Sequence, residues 1–340
     1  MKVVLIAPAA IAVPPLGYGG CEALVYNYAK ALAERKDVEV TLIAPKFSYA
    51  PGVREVIETV DLNNPLEPWR EDLAYKRYHK RLKEFDAIHD FSHRGLVGRL
   101  NSGLPQVKML WHAYGAYPEP KYNLMSLSEW HAARMKEQYK QEVAWLNMGV
   151  PTDFYKPRED GQAGDYWCYL GHPAPTKGMT EAITYARKSN QKLHIMGGQV
   201  PAEGAQYRDR AMALCDGKQI IWLGEVSNER KRDELAGARG FLFPVQQDEG
   251  SSLALMEAMA CGLPCITSNK GAYPEMISKD MGVCCKTEDE YLNILANKGM
   301  VESFDRKKIR EYAVSNYGLN TMCDAYIELY HELADGLMWG

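Results

Sequence analysis

The chain has 340 residues, 46% of them apolar and 25% charged, with a formal net charge of −4 at neutral pH. That length exceeds what one core organises and suits two domains. The composition is that of a globular protein, and the mild negative charge excludes a global pull toward nucleic acid or an acidic membrane.

The N-terminal run Met1-Lys-Val-Val-Leu-Ile-Ala-Pro8 is too short for a signal peptide and meets a turn at once. No stretch reaches the ~18 apolar residues of a membrane span. Both points suggest a soluble or at most peripheral protein, and cysteines that read as buried free thiols fit a reducing, cytoplasmic location. The spacing predicts a buried strand over residues 3–7, a Gly/Pro loop, then a helix from about 21 to 35. Further strands are expected over 38–44, 87–91, 106–111 and 123–127. A basic helix over 76–83 offers at most a weak peripheral membrane contact, because Glu71, Asp72 and Glu84 dilute its charge.

Residues 145–157 break this rhythm, and then it resumes. Strands are expected over 166–171, 193–196, 220–223, 241–243 and 264–267, with helices over 179–189 and 253–261. Strands separated by helices imply βαβ units and a mostly parallel sheet. The fold class is therefore α/β, two doubly wound Rossmann-like domains joined near residue 150. In such sheets ligands bind beyond the carboxyl ends of the strands, where the strand order reverses. A cleft between two such sheets would be the natural active site. The eight cysteines include no Cys-x-x-Cys pair and sit mostly among apolar neighbours, as buried thiols do.

The string Phe241-Leu-Phe-Pro-Val-Gln-Gln-Asp-Glu249-Gly-Ser-Ser-Leu-Ala-Leu-Met-Glu257-Ala-Met-Ala-Cys-Gly262-Leu-Pro264 carries the most chemistry. A buried strand ends at Pro244. Gly250 lets backbone approach a ligand. Ser251 or Ser252 can cap a helix that ends at Gly262. The helix N-terminus near Ser251, Ser252 and Leu253 offers N–H groups and positive dipole to a diphosphate. Glu249 precedes the helix and can accept from sugar hydroxyls. Glu257 lies about a turn and a half inside it and can chelate the two vicinal hydroxyls of a ribose. The competing reading is a capped surface helix with two solvated glutamates.

This string resembles the signature of the retaining glycosyltransferase family 4, glycosyl transferases group 1, which has the GT-B fold. The match runs through Glu249, Glu257, Ala258, Met259, Ala260, Cys261, Gly262 and Pro264. The resemblance implies that Glu249 contacts the donor sugar and Glu257 the nucleotide ribose. Gly250-Ser251-Ser252 stands where that family commonly has Pro-Phe-Gly after the first Glu. A second stretch, Gly171-His172-Pro-Ala-Pro-Thr-Lys177-Gly178, follows a strand and precedes a helix. Lys177 matches the family's diphosphate lysine, and a lysine fixed there can neutralise the leaving group. His172 replaces the usual Arg and alters the phosphate clamp. Gly17-Tyr-Gly19-Gly20-Cys-Glu22 is similar to the family's Gly-Gly-x-Glu opening, whose loop faces donor phosphate and acceptor. His112, after the apolar run at 106–111, occupies the place of a histidine near the donor sugar. His93 ends a similar run, and His89 reads as structural.

The resemblance also divides the chain into an acceptor-side domain, 1–148, and a nucleotide-sugar domain, 149–320. A C-terminal helix, about 321–340, would pack back on the first domain. It implies transfer of a sugar from a nucleoside-diphosphate sugar to an acceptor hydroxyl with retention. A UDP-sugar is favoured as donor, with GDP, ADP and dTDP as alternatives. The acceptor would be a saccharide, a lipid-linked sugar or a small molecule. No Asp-x-Asp-type metal triad appears, so neither a required metal nor a cofactor is expected, and no nucleic-acid partner. Two alternatives remain: a nucleotide-sugar epimerase or hydrolase on this fold, and a non-catalytic nucleotide-sugar binding protein.

Overall fold

The computed structural model describes residues 1–17, 19–62, 70–111, 122–198 and 204–339. The chain divides into one unit of Met1–Val150 with Leu319–Gly340, and another of Pro151–Gly318.

The first unit runs β1 (Lys2–Ile6), α1 (Gly20–Ala33), β2 (Glu39–Ala44), β3 (Glu55–Glu58), α2 (Arg70–Tyr78), β4 (Ala87–Asp90), α3 (Leu96–Leu100), β5 (Gln106–Met109), β6 (Asn123–Ser126), α4 (Glu129–Tyr139) and β7 (Ala144–Trp145). The strands form one parallel sheet in the order β3-β2-β1-β4-β5-β6-β7. Val3, Val4, Leu5, Leu42 and Ile43 are fully buried. A parallel sheet covered on both faces needs such continuous apolar runs rather than alternation. The basic run at 76–83 is not one helix. α2 stops at Tyr78 and a tighter 3-10 turn, His79–Glu84, follows. There Arg77 donates to Thr59 O, and Arg81 is forked between Glu55 and Glu84. These pairings engage two of the run's arginines, which fits a solvated, paired face better than a membrane contact.

The second unit runs β8 (Tyr166–Leu170), α5 (Met179–Lys188), β9 (Lys192–Met196), α6 (Ala205–Ala213), β10 (Ile220–Gly224), α7 (Asn228–Gly237), β11 (Gly240–Phe243), α8 (Leu253–Ala260), β12 (Cys265–Ser268), α9 (Tyr273–Met276), β13 (Gly282–Cys285), α10 (Glu288–Ala296), α11 (Lys298–Glu302) and α12 (Arg306–Tyr317). Its sheet is parallel throughout, in the order β10-β9-β8-β11-β12-β13. The order reverses between β8 and β11, so the loops leaving those two strands diverge and frame a crevice.

α13 (Leu319–Ala334) belongs to the first unit and packs on α1. Three buried groups fix it there. Tyr330 hydroxyl lies 2.8 Å from Tyr28 hydroxyl and 2.7 Å from His89 Nδ1. His89 also stacks on Phe91, ring centroids 3.9 Å apart, which makes it a core residue. The tail then docks on β6, where Trp339 Nε1 donates to Leu124 O. Tyr330→Phe leaves two buried partners with one hydrogen bond fewer each. A loss on the order of 2–4 kcal/mol is expected in chemical denaturation.

Burial, aided by the Lys108 ammonium, holds the His89 imidazole well below the usual histidine range. Below pH ~6.5 the unfolded chain therefore takes up a proton that the folded chain refuses. His89 lends its full stability above that pH, and this contribution falls by up to about 1.4 kcal/mol per pH unit toward the depressed folded pKa. Melting curves between pH 7 and 5 should show this slope, and His89→Gln should flatten it.

Candidate functional site

The crevice of the second unit is built by the loops after β8 and β11. After β8 comes a turn at Pro175–Lys177, ended by Gly178 at φ 70°. A Cβ on Gly178 would lie 1.8 Å from Pro244 O, so only glycine lets this turn seat on the end of β11. The two loops are then tied by Gln246 N donating to Thr176 O at 2.9 Å. Tyr169 hydroxyl donates to Lys177 O at 3.0 Å, which fixes the backbone that carries the lysine.

From there Lys177 Nζ reaches Glu249 Oε1 at 2.6 Å. The other carboxylate oxygen, Oε2, accepts from Tyr273 hydroxyl at 2.7 Å. Gln247 Nε2 adds a third donor at 3.3 Å. The Glu249 backbone is held too. Ala272 N donates to its carbonyl at 2.9 Å, and Gly271 N donates to Asp248 Oδ1 at 2.9 Å. Gly271 sits at φ 52°, and a Cβ there would meet Glu249 N and O at 2.4 Å. Glu249 is thus a largely buried carboxylate with every visible partner a donor.

α8 begins beside it. Ser252, not Ser251, is the cap, accepting from Leu255 N at 3.3 Å. Ser251 turns its hydroxyl to Met276 sulfur instead. Gly250 is buried between Glu249 and this cap, and Leu253 opens the helix. The helix stops at Cys261, and Gly262 follows at φ 72°. Glu257, on the second turn, pairs with Lys231 from α7 at 2.7 Å. The Lys231 ammonium also lies 5.1 Å from the centre of the Tyr155 ring. Burial and the neighbouring Glu257 carboxylate keep the Tyr155 phenol protonated.

His172 follows β8 in the same crevice. Burial, then the Lys177 ammonium, lowers its pKa, with Glu249 opposing. It is therefore a neutral imidazole at pH 7, where a second permanent cation was the pattern to match. The structure brings His172, Lys177, Glu249, Gly250, Ser251, Ser252, Leu253 and Glu257 into one unit. Gly19 and Gly20 belong to the other. Gly19 precedes α1 at φ 153°, where a Cβ would meet Pro15 at 2.8 Å, and Gly20 opens the helix. His112 lies outside the described residues. Lys231, Tyr273 and Asp248 are partners that the motifs alone did not single out.

Two units, each built on a parallel doubly wound sheet, are the two-domain α/β arrangement of the GT-B fold. Residues 158–314 match the family model of "Glycosyl transferases group 1". The chain therefore carries a glycosyl transferases group 1 segment on a GT-B fold. Its sequence is similar to N-acetyl-alpha-D-glucosaminyl L-malate synthase of Bacillus anthracis, 25% identical over 122 residues. That match covers 34% of this chain and only 31% of that enzyme. Among solved structures, the chain superposes on AviGT4, a glycosyltransferase involved in avilamycin A biosynthesis, with TM-score 0.77, 24% identity and all of both chains covered. It also superposes on sucrose-phosphate synthase from Thermosynechococcus elongatus, with TM-score 0.78, 18% identity, and 99% of this chain and 100% of that one covered. A third is Anabaena HepE in complex with UDP and glucose, with TM-score 0.74, 13% identity, and 98% and 100% covered.

Proposed function

We propose that the protein transfers a sugar from a nucleoside-diphosphate sugar, a UDP-sugar first, to an acceptor hydroxyl with retention of anomeric configuration. The observation that carries this reading is the Lys177–Glu249 pair at the reversal of a parallel sheet, beside the N-terminus of α8. Glu249 holds its two oxygens toward hydrogen-bond donors, as a sugar hydroxyl would require. Lys177 and the N-terminus of α8 supply the positive charge that a departing diphosphate needs. Neutral His172 adds a hydrogen-bond donor without a second full charge. The Anabaena protein's complex with UDP-glucose favours uridine over the other bases.

In this mechanism the bond from the anomeric carbon to the diphosphate oxygen breaks. The acceptor oxygen bonds to the same face, and its proton passes to the departing phosphate. The sequence resemblance assigns His112 a contact with the donor sugar. Lys177 exchanges Glu249 for phosphate as the donor binds, which frees a carboxylate oxygen for a sugar hydroxyl. Because Lys177 and α8 carry the charge stabilisation, turnover is expected to persist in excess EDTA. A complete loss on chelation would show that a metal is required.

Glu257 is assigned to the ribose. A charged acceptor hydrogen-bonded to vicinal hydroxyls contributes about 1.5–3 kcal/mol. Glu257→Gln is therefore expected to weaken UDP binding about 10–100-fold. Calorimetry with 2′-deoxy-UDP provides the control. The wild type should discriminate against it, and the variant should not.

The experiment that tests the whole reading is a thermal-shift screen against UDP-, GDP-, ADP- and dTDP-sugars, since a ligand of the native state raises the midpoint. Mass spectrometry with and without candidate acceptors then separates transfer from hydrolysis. Release of free sugar from donor alone, undiminished by any acceptor, would favour the hydrolase reading. Binding with no turnover would favour the non-catalytic one.

A further inference from the structure

The second unit has another pocket, of about 430 Å³, at the opposite end of its sheet. Asp165, Arg239 and Pro264 line it, and each immediately precedes a strand: β8, β11 and β12 respectively. Lys298 of α11, Phe304 and Arg306 at the start of α12 form the other wall. The donor loops leave the far ends of the same strands. Five residues of β8 separate the two ends, roughly 15 Å at strand rise. The pocket is therefore separate from the site around Lys177 and Glu249.

Its charges are unevenly matched. Asp165 is taken by Lys192 at 2.5 Å, and Lys298 lies 3.5 Å from Glu302. Arg239 and Arg306 make no ion pair within 4 Å among the described residues, although the Arg239 charge does act on the Asp165 carboxylate that Lys192 already holds. Arg239 Nη1 donates to Gln191 Oε1 at 3.2 Å, and Arg306 Nη1 to Ala238 O at 3.0 Å. Each spends one of five guanidinium N–H donors on those contacts. Arg306 is also partly desolvated, and burial pulls its pKa down with only the Cys261 thiol opposing. A desolvated cation without a counter-ion favours the arrival of an anion. Guanidinium pairs suit phosphate because their N–H groups fork onto its oxygens.

We propose that this pocket binds the phosphate monoester of a small polyhydroxylated molecule, a sugar phosphate, through Arg239 and Arg306. The volume is that of a small-molecule site. Asp165 and Glu302 each have a second oxygen to accept hydroxyl hydrogen bonds, and Phe304 offers an apolar wall to the carbon skeleton. The site is also mechanically close to the donor helix. A Cβ on Gly262 would meet Arg306 O at 2.7 Å, and Arg310 Nη1 donates to Ala260 O at 2.7 Å, so α12 is seated on the end of α8.

The test is calorimetric titration of the full chain with glucose 6-phosphate, inorganic phosphate and glucose, each with and without saturating UDP. Glucose 6-phosphate should bind in both conditions, and more tightly than either fragment. Arg239→Gln should weaken it at least tenfold while leaving UDP binding unchanged. Arg306→Gln should do the same, and Arg239→Gln decides the matter if the Arg306 variant does not fold. No binding at 20 mM, on the order of the weakest affinities worth calling specific, would overturn the proposal. So would binding that UDP displaces, binding untouched by Arg239→Gln, or inorganic phosphate binding as tightly as glucose 6-phosphate. Binding of glucose 6-phosphate without UDP, and its loss in Arg239→Gln, do not depend on whether the donor reading is right.

Discussion

If the proposed function holds, Lys177→Met is expected to lower turnover about 10²–10³-fold while the protein remains folded, because it removes the positive charge assigned to the leaving diphosphate. The lysine is held by its own backbone, through Tyr169 hydroxyl and the Gly178 turn, as well as by Glu249. The effect should therefore appear in kcat more than in KM, since the charge is needed most as the bond breaks. The structural penalty should be smaller. Both partners are mostly buried, with side-chain exposures of 22% and 10%. Glu249 would nevertheless keep Tyr273 and Gln247 as donors. A stability loss of about 1–3 kcal/mol is expected, below that for a buried charge left wholly unpaired. Single-turnover kinetics with a UDP-sugar, alongside urea denaturation, would separate the two effects. A variant that keeps wild-type kcat would remove Lys177 from the chemistry.

Gly178→Ala should be the most damaging single methyl group in the second unit. Two penalties combine. A non-glycine residue at φ 70° is strained by about 1–2 kcal/mol. The added Cβ would also lie 1.8 Å from Pro244 O, a backbone atom that no rotamer change can move. The turn must lift from the end of β11, which endangers the Gln246–Thr176 bond and displaces Lys177. A loss on the order of 3–5 kcal/mol is expected, with activity falling alongside it. Gly161→Ala is the internal control. Gly161 has φ 64° but nothing within 4 Å of its virtual Cβ. It should lose only the strain, about 1 kcal/mol. Equal losses at the two positions, measured by urea denaturation, would mean that the close approach to Pro244 is unimportant.

The parts of the fold that could be read from sequence are those buried on both faces. β1, β2, β8 and β11 are apolar runs bounded by turns, and their burial confirms why. β3 is harder to see. Glu-Val-Ile-Glu, with both glutamates exposed, forms the edge of its sheet and carries no long apolar run. β7 has two residues, and β13 is a short edge strand. β7 is too short to give a pattern, and β13 is only half-buried at Val283 and Cys284, so it lacks the continuous buried run that β11 has at the same length.

The candidate site divides in the same way. Glu249, Glu257 and Lys177 stand at fixed spacings from glycines and a strand, so local sequence suffices to find them. Their partners come from distant segments. Lys231 lies in the run Glu229-Arg-Lys231-Arg-Asp233, which reads as a solvated helix face until α7 is seen beside α8. Tyr273 lies 24 residues beyond Glu249, and only the close pass at Gly271 brings its hydroxyl to the carboxylate. The neutrality of His172 is likewise a property of its burial, which sequence does not carry.

The central claim is that Glu257 and Lys177 hold the two ends of a nucleotide sugar. A crystal structure of the full chain with UDP tests it most directly. The account predicts ribose hydroxyls on the Glu257 carboxylate and the terminal phosphate between Lys177 Nζ and the N-terminus of α8. UDP bound elsewhere, or bound here with Glu257 contacting Lys231 alone, would contradict it.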